Sequence, residues 1–165
     1  MNIFKDKKAV SPVIGVMLMI VVTVILAAAV SSFATSMDAG EKAPQLSMKA
    51  AASNSGGLKI EHLGGDVLAA SDIKIQTYIP SGTYQGSTYE TPRNKTINMR
   101  TGKRLNESGE YVKSGDVLFV SNINDAFAVG AYGPYKPGIG EQFKVEIYQM
   151  RINKPVAFSL VTLNP

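Results

Sequence analysis

The strongest constraint in this sequence is a long apolar run without a charged residue. No Asp, Glu, Lys or Arg occurs in the 29 positions between Lys8 and Asp38, and 20 of the 28 residues at positions 10–37 are apolar. A helix over residues 12–37 would be about 39 Å long, more than the roughly 30 Å of a bilayer core. Apolar side chains fall on every face of this helix, so it must lie in lipid or among other helices.

The basic charge of the chain is concentrated just before this run. Residues 1–9 contain Lys5, Lys7 and Lys8 against Asp6, a net of +2 in a chain of net charge +4. Basic residues beside a membrane helix favour the cytoplasmic side of the membrane. The sequence therefore predicts that the amino terminus stays inside and that the residues after the helix are exported.

Two simpler interpretations of the apolar run remain open. A secretory signal peptide has an apolar core of about 7–15 residues before a small-residue cleavage site. Here about 20 residues precede Ser32-Phe33-Ala34, so the run is too long for cleavage there, which would leave a chain starting at Thr35. A plain membrane anchor fits both the length and the charge.

The first residues of the run carry a more specific pattern. Two lysines and a small residue lead directly into it, in the order Lys7-Lys8-Ala9-Val10-Ser11-Pro12-Val13-Ile14-Gly15. This pattern resembles the start of archaeal type IV pilins, which have a short basic leader, a small residue and an unbroken apolar helix. The resemblance implies that a prepilin peptidase cuts at Ala9–Val10, removes residues 1–9 and leaves residues 10–37 as the assembly helix. Bacterial type IV pilins usually carry a glutamate where this chain has Ile14, so the resemblance is to the archaeal branch.

The same resemblance implies partners and a location. The precursor would sit in the cytoplasmic membrane with its amino terminus inside, and the mature subunit would belong to a pilus, a surface adhesion filament. The implied partners are identical or related pilin subunits, the peptidase, and a membrane assembly platform with its ATPase. The alternative function, from a different class, is a monomeric membrane-anchored extracellular binding module that never polymerises.

Local chemistry gives a physical reason for the processing site. Ser11 followed by Pro12 suits an N-cap and the first helical position, because proline there loses no hydrogen bond. We therefore expect the helix to begin at Pro12 and the backbone at Ala9–Val10 to be extended and open to a protease. The same dipeptide would also start an ordinary membrane helix.

Small residues in the second half of the helix are spaced four apart. Ala27 and Ser31 begin one such row, and Ala28 and Ser32 begin a second one. Rows of this kind let helix backbones approach closely in an apolar setting, where van der Waals contact supplies the attraction. The residues predicted to start the helix or to line its assembly contacts are Ser11, Pro12, Val13, Ile14, Gly15, Ala27, Ala28, Ser31 and Ser32.

The pattern changes after residues 38–44, which combine charge, glycine and proline and are predicted to be a hinge. Residues 58–61, 73–79 and 143–148 alternate apolar and polar side chains, and residues 155–163 form a β-branched run. Further strands are expected at residues 117–120 and 126–132, which brings the total to about seven to nine. We predict an α+β chain in which residues 45–165 form an antiparallel β-sandwich of roughly immunoglobulin size.

The sequence offers little for an enzyme. It has no cysteine and a single histidine, His62, so thiolate chemistry and a two-histidine metal site within one chain are excluded. No phosphate loop, nucleophile elbow or calcium loop is present. We expect no catalytic residue, metal or cofactor, and we expect His62 to be a strand-end residue bonded to a neighbouring carbonyl.

A basic segment at residues 93–104 also needs an explanation. Nucleic acid is not an expected partner, because the exported part carries only a small positive excess. Two Asn-x-Ser/Thr sequons lie in or near this segment, at Asn94 and Asn106. In an exported protein both asparagines are candidates for glycosylation. The tyrosines of the loop at residues 84–89 are interpreted either as ordinary strand aromatics or as an adhesive surface.

Overall fold

A computed structural model describes residues 7–36, 43–130 and 135–165, and the chain divides into two compact units, residues 1–42 and 43–165. The first unit contains helix α1 (Lys7–Ser36). The predicted hinge at residues 38–44 falls almost entirely outside the described residues, as do the first six residues of the predicted leader.

The start of α1 differs from the prediction. The helix already includes Lys7 and carries Pro12 in its interior, so the backbone at Ala9–Val10 is helical rather than extended. Lysine and alanine are good helix formers. Pro12 removes only one hydrogen bond, the one to the carbonyl of Lys8, and this local loss does not stop the helix.

The second unit is built from β-strands and three short 3₁₀ helices. The strands are β1 (Leu46–Ser53), β2 (Gly57–Gly65), β3 (Leu68–Ala69), β4 (Ile73–Tyr78), β5 (Thr88–Thr91), β6 (Thr96–Asn98), β7 (Tyr111–Val112), β8 (Val117–Val120), β9 (Val129–Gly130), β10 (Gln142–Gln149) and β11 (Lys154–Asn164). The 3₁₀ helices are Ala70–Asp72, Arg93–Lys95 and Ile123–Phe127. The predicted α+β class is confirmed.

Nine of these strands form one sheet, in the order β6-β8-β2-β1-β11-β10-β4-β5-β9, and β3 pairs with β7. All described pairs are antiparallel except β1 with β11, which is parallel and has only two registered residue pairs, Ala52↔Leu163 and Ser53↔Asn164. This short join divides the sheet into a four-stranded and a five-stranded half. The predicted antiparallel β-sheet domain is therefore confirmed, and this short parallel join is its one exception among the described pairs.

The two halves share one hydrophobic core. Alternate side chains of each strand point inward, as in β4 with Ile73 and Ile75 and in β10 with Phe143 and Val145. A small cavity in this core is lined by Leu118 of the four-stranded half together with Ile147 of the five-stranded half. The inner faces therefore pack against each other, as in a sandwich.

One predicted strand is wrong in part. Residues 123–127 form a 3₁₀ helix and only Val129–Gly130 are extended, while residues 131–134 lie outside the described residues. The Asn122 side chain accepts a hydrogen bond from the Asn124 N–H at 3.0 Å, which favours the helical turn. Ala126 and Phe127 are fully buried, and the Ala126 carbonyl accepts hydroxyl hydrogen bonds from strands β4 and β5.

Candidate assembly helix and β-domain surfaces

Helix α1 has no cover along its apolar length. Its segment Pro12–Ser36 contains an 18-residue window with a mean hydropathy of 3.0 that is 0% buried, and by length and composition the segment is able to cross a membrane. Side chains as large as Leu18 and Phe33 are each 66% exposed. In water this surface would be costly, so its environment is lipid or other protein.

Three hydroxyl groups of α1, those of Thr23, Thr35 and Ser36, are bonded to carbonyls of the helix itself. The Thr23 hydroxyl donates to the Ile20 carbonyl at 2.8 Å, and Thr35 donates to the Ser31 carbonyl at 3.0 Å. A polar group with such an internal partner costs far less to place in an apolar medium than an unpaired one. Polar residues in this helix are therefore compatible with a bilayer or with a packed bundle.

The four small residues predicted to line helix contacts fall on one side of α1. Ala27, Ala28, Ser31 and Ser32 are all exposed, and at about 100° per residue they cover a single face. Phe33 lies about 170° around the helix from the centre of that face. Val13, Ile14 and Gly15, nearer the start, are exposed as well. The second half of the helix therefore has one face of small side chains and an opposite face with the large side chain of Phe33.

The predicted processing residues are Lys7, Lys8, Ala9 and Val10. The structure describes their backbone, which forms the first turn of α1. Ser11 and Pro12 follow in the same helix instead of marking its start.

The two sequons differ in accessibility. Asn94 is exposed in the 3₁₀ helix Arg93–Lys95, but Thr96 of the same sequon is fully buried in β6 and its hydroxyl donates to the Pro92 carbonyl at 3.3 Å. Asn106 and the two residues after it are all exposed, in the turns between β6 and β7. Only the Asn106 sequon presents its whole tripeptide on the folded domain.

Two of the five basic residues of this segment, Arg93 and Arg100, form contacts within the domain. The Arg93 guanidinium donates to the Ala70 and Leu105 carbonyls at 2.7 and 2.8 Å, so it links the 3₁₀ helices Ala70–Asp72 and Arg93–Lys95 and the turns after β6. Arg100 forms an ion pair with Asp116, whose side chain is 1% exposed. These contacts give Arg93 and Arg100 structural roles within the domain.

Sequence reasoning missed the buried polar network around Asp116. The Asn98 amide, itself fully buried, donates to Glu110 at 2.8 Å and to Asp116 at 3.0 Å, and the Lys113 N–H donates to Asp116 at 2.9 Å. The hydrogen bond from Arg100 lowers the pKa of the Asp116 carboxyl to about 2. No local sequence pattern predicts this network, because its residues come from separate turns of the chain.

His62 does not have the predicted environment. It lies within β2, where its backbone N–H donates to the Asp116 carbonyl at 2.9 Å and its carbonyl accepts from the Gly115 N–H at 2.7 Å. Its ring is 3% exposed, its two nitrogens have no hydrogen-bond partner in the structure, and its neighbours in the core cavity include Met48 and Leu68. The predicted ring bond to a carbonyl is therefore wrong. Within the described residues no group of three or more His, Cys, Asp or Glu side chains is placed to hold a metal ion.

The tyrosines divide between core and surface. Tyr89 is buried and its ring lies 5.9 Å from that of Phe127, whereas Tyr84 is 41% exposed and lies 5.0 Å from Tyr135. The Tyr135 hydroxyl donates to Glu141, and burial together with this neighbouring carboxylate raises the pKa of Tyr135. Core packing therefore explains part of the tyrosine content, in line with the interpretation of these residues as ordinary strand aromatics.

A surface groove was also missed. It has a volume of about 470 Å³ and lies between the first halves of β1 and β11. Its lining side chains are Leu46, Ser47, Met48, Pro155, Val156, Ala157 and Phe158. The apolar residues of β11 in the sequence indicated a strand but not this opening, which depends on how β11 meets β1.

An apolar helix that by length and composition is able to cross a membrane, followed by a separate β domain, is typical of proteins with an amino-terminal membrane helix. Within that class, residues 8–48 match the sequence profile of the archaeal type IV pilin N-terminal domain. The chain belongs to the archaeal type IV pilin family. It is also 40% identical to an uncharacterized protein of Archaeoglobus fulgidus, over 96% of this chain and 94% of that protein. No solved structure matches the chain.

Membership of this family indicates a general function. Archaeal type IV pilins are structural proteins that anchor in the membrane through the amino-terminal apolar helix and assemble into pili at the cell surface. The matched residues include nearly all of α1 and the first three residues of β1.

Proposed function

We propose that this chain is the precursor of a structural subunit of an archaeal type IV pilus that serves in surface adhesion. Residues 1–9 form the leader, residues 10–37 the membrane and filament-core helix, residues 38–44 a hinge and residues 45–165 the exported β domain. The observation that carries this proposal is α1, which lies in the family-matched segment and is apolar on all faces without any cover.

Membrane insertion and processing follow from the charges at the amino end. Lys5, Lys7 and Lys8 keep this end in the cytoplasm, so the β domain is exported. Prepilin peptidase then cuts at Ala9–Val10. The precursor is held in the bilayer until the assembly platform, driven by its ATPase, moves it into the filament among identical or related subunits.

Removal of the leader also changes the position of Pro12. In the precursor this proline interrupts hydrogen bonding inside α1. After cleavage it becomes the third residue of the chain, where a helix has unbonded N–H groups in any case. Cleavage therefore removes Lys8, whose carbonyl Pro12 leaves without its helical hydrogen bond in the precursor.

The amino terminus of the mature protein tests this proposal. We expect mass spectrometry of protein sheared from the cell surface to find Val10 as the first residue, and electron microscopy to show filaments containing the protein. An intact Met1 without filaments would support the monomeric anchored binding module, and a start at Thr35 would support secretion.

A pair of variants sharpens the processing test. Ala9→Leu places a large side chain beside the proposed scissile bond and should leave the leader attached. Ala34→Leu adds the same side chain at the far end of the helix and should still be cut. Equal processing of both variants would contradict cleavage at Ala9–Val10.

A further inference from the structure

The groove between β1 and β11 exists because these two strands meet only at their ends. Their registered pairs are Ala52↔Leu163 and Ser53↔Asn164. Before this join each strand pairs on its other side, β1 with β2 and β11 with β10. The Ala50 N–H donates to the Ser159 hydroxyl at 3.2 Å, just before the strands separate. Towards the start of both strands, the edges of β1 and β11 diverge and leave the groove between them.

The groove exposes part of the hydrophobic core. Leu46, Met48 and Val156 are only partly buried although they pack against the core, and Phe158 is 65% exposed. All seven lining side chains are uncharged. Filling this opening with another apolar group is favourable, because it removes apolar surface from water.

Helix α1 presents the matching surface. Within the described residues it is the one helix that is long and apolar enough to cross a membrane, and it carries no charged side chain along Pro12–Ser36. Phe33 is its only aromatic side chain in that segment and is the last large apolar group before the helix ends at Ser36.

The position of Phe33 on the helix indicates which side meets a β domain. The small residues Ala27, Ala28, Ser31 and Ser32 suit close contact between helices, and Phe33 lies on the opposite side. A bulky ring is out of place in a contact built on small side chains. The face with Phe33 is therefore the one left for contact with the surrounding domains.

We propose that, in the filament, the groove between β1 and β11 receives Phe33 from the helix of a neighbouring subunit. A cavity of roughly 150 Å³ already holds a benzene molecule, so a groove of 470 Å³ accommodates the ring. Phe158 supplies an aromatic partner for the ring and Met48 a thioether. This inference rests on the proposed function, because the partner is a second copy of the chain in the same filament.

Cysteine cross-linking tests this contact directly, since the protein has no cysteine of its own. Ala29 lies one turn before Phe33 on the same side of the helix, and Ala157 lines the groove. In filaments of the double variant Ala29→Cys/Ala157→Cys, oxidation should link chains into a ladder on non-reducing gels, with Phe33 retained. The matched control is Ser31→Cys/Ala157→Cys, whose helix cysteine lies on the small-residue face and should not reach the groove. The single variants Ala29→Cys and Ser31→Cys identify any link between two helices, which is subtracted from the result.

Each outcome bears on the proposal. An interchain ladder for the first pair alone supports it. A disulfide within one chain would show that the chain's own helix occupies the groove, which would overturn the proposal. The absence of any disulfide in intact filaments would overturn it as well, and would indicate lipid or a neighbouring strand as the occupant. Equal ladders from both pairs would overturn it as well.

A second variant covers the case in which the cysteine variants do not assemble. Phe33→Ala should be processed to Val10 but should give filaments that dissociate at lower temperature than the wild type, or none. Filaments of unchanged stability would overturn the groove contact. A wild-type chain that keeps Met1 and forms no filament would instead refute the proposed function itself, and the groove contact with it.

Discussion

At the scale of single residues, Asp116 shows how one buried carboxylate organises several turns. It accepts hydrogen bonds from Asn98, Arg100 and the Lys113 backbone. These donors stabilise the ionised form, which is why its pKa falls from 3.8 to about 2. Because the folded-state pKa is lowered, the stabilisation is present above the ordinary pKa and is lost as the pH falls towards 2.

We therefore expect Asp116→Asn to lower the free energy of unfolding by about 2 kcal/mol at neutral pH. The difference between variant and wild type should shrink between about pH 4 and pH 2, as the wild-type carboxylate becomes protonated. Urea denaturation of the detergent-solubilised full chain, followed across this pH range, measures both effects. Glu61→Gln, at an exposed carboxylate, is the control and should change little; an equal loss there would contradict this account.

The two sequons give a second prediction at this scale. If glycans are added to the folded domain, Asn106→Gln should remove glycan mass from the mature protein and Asn94→Gln should not, because Thr96 is buried. Intact-protein mass spectrometry of surface material distinguishes the two variants. Loss of mass from Asn94→Gln would show that modification precedes folding of β6.

At the scale of secondary structure elements, the β1–β2 hairpin depends on one glycine. Gly57 has φ +71°, and a Cβ there would lie 2.1 Å from the Val120 carbonyl oxygen of β8. Gly102 has the same φ, but a Cβ there would meet nothing within 4 Å. The two positions separate backbone strain from steric overlap with a neighbouring strand.

We expect Gly102→Ala to cost about 1 kcal/mol of unfolding free energy, the usual penalty for a left-handed alanine. Gly57→Ala should cost clearly more, because β8 must also move away from β2. Urea denaturation of the two variants side by side gives the difference. Equal costs would mean that the approach of β8 to the hairpin is unimportant for stability.

Pro12 supplies the prediction for α1. Replacing it with alanine restores a hydrogen bond inside the precursor helix and should stabilise the helical backbone at Ala9–Val10. A peptidase needs an extended segment, so Pro12→Ala should slow leader removal, seen as a higher ratio of precursor to mature protein on immunoblots. Pro44→Ala, beyond the helix, should leave that ratio unchanged; faster cleavage of Pro12→Ala would refute the argument.

At the scale of the whole molecule, the chain combines an uncovered apolar helix with a β domain that has its own core. Among the residues that the structure describes, the buried apolar side chains of the β domain form a core that includes no residue of α1. The exposed apolar side chains of the helix, in contrast, are unfavourable in water, so the helix must be surrounded by lipid or by other subunits. Insertion and assembly are therefore separable properties of α1, since lipid tolerates bulk on any face and a helix bundle does not.

This separation predicts the behaviour of two helix variants. Ala28→Leu and Ser32→Leu add bulk to the small-residue face, so both should insert into the membrane and be processed but should form few or no filaments. Val22→Leu, on the opposite side, is the control and should assemble. Membrane fractionation and electron microscopy measure the two steps, and normal filaments from both variants would show that this face is not in the helix contacts.

The sequence by itself determined the local features of this protein. The uncharged run specified α1, and two-residue alternation located strands such as β4 and β10, because both patterns depend on neighbours a few residues apart. Only the tertiary structure decided the parallel join of β1 and β11, the groove beside it, the network around Asp116 and the burial of Thr96. These features bring together residues far apart in the chain, and their energies depend on packing and desolvation that no local pattern encodes.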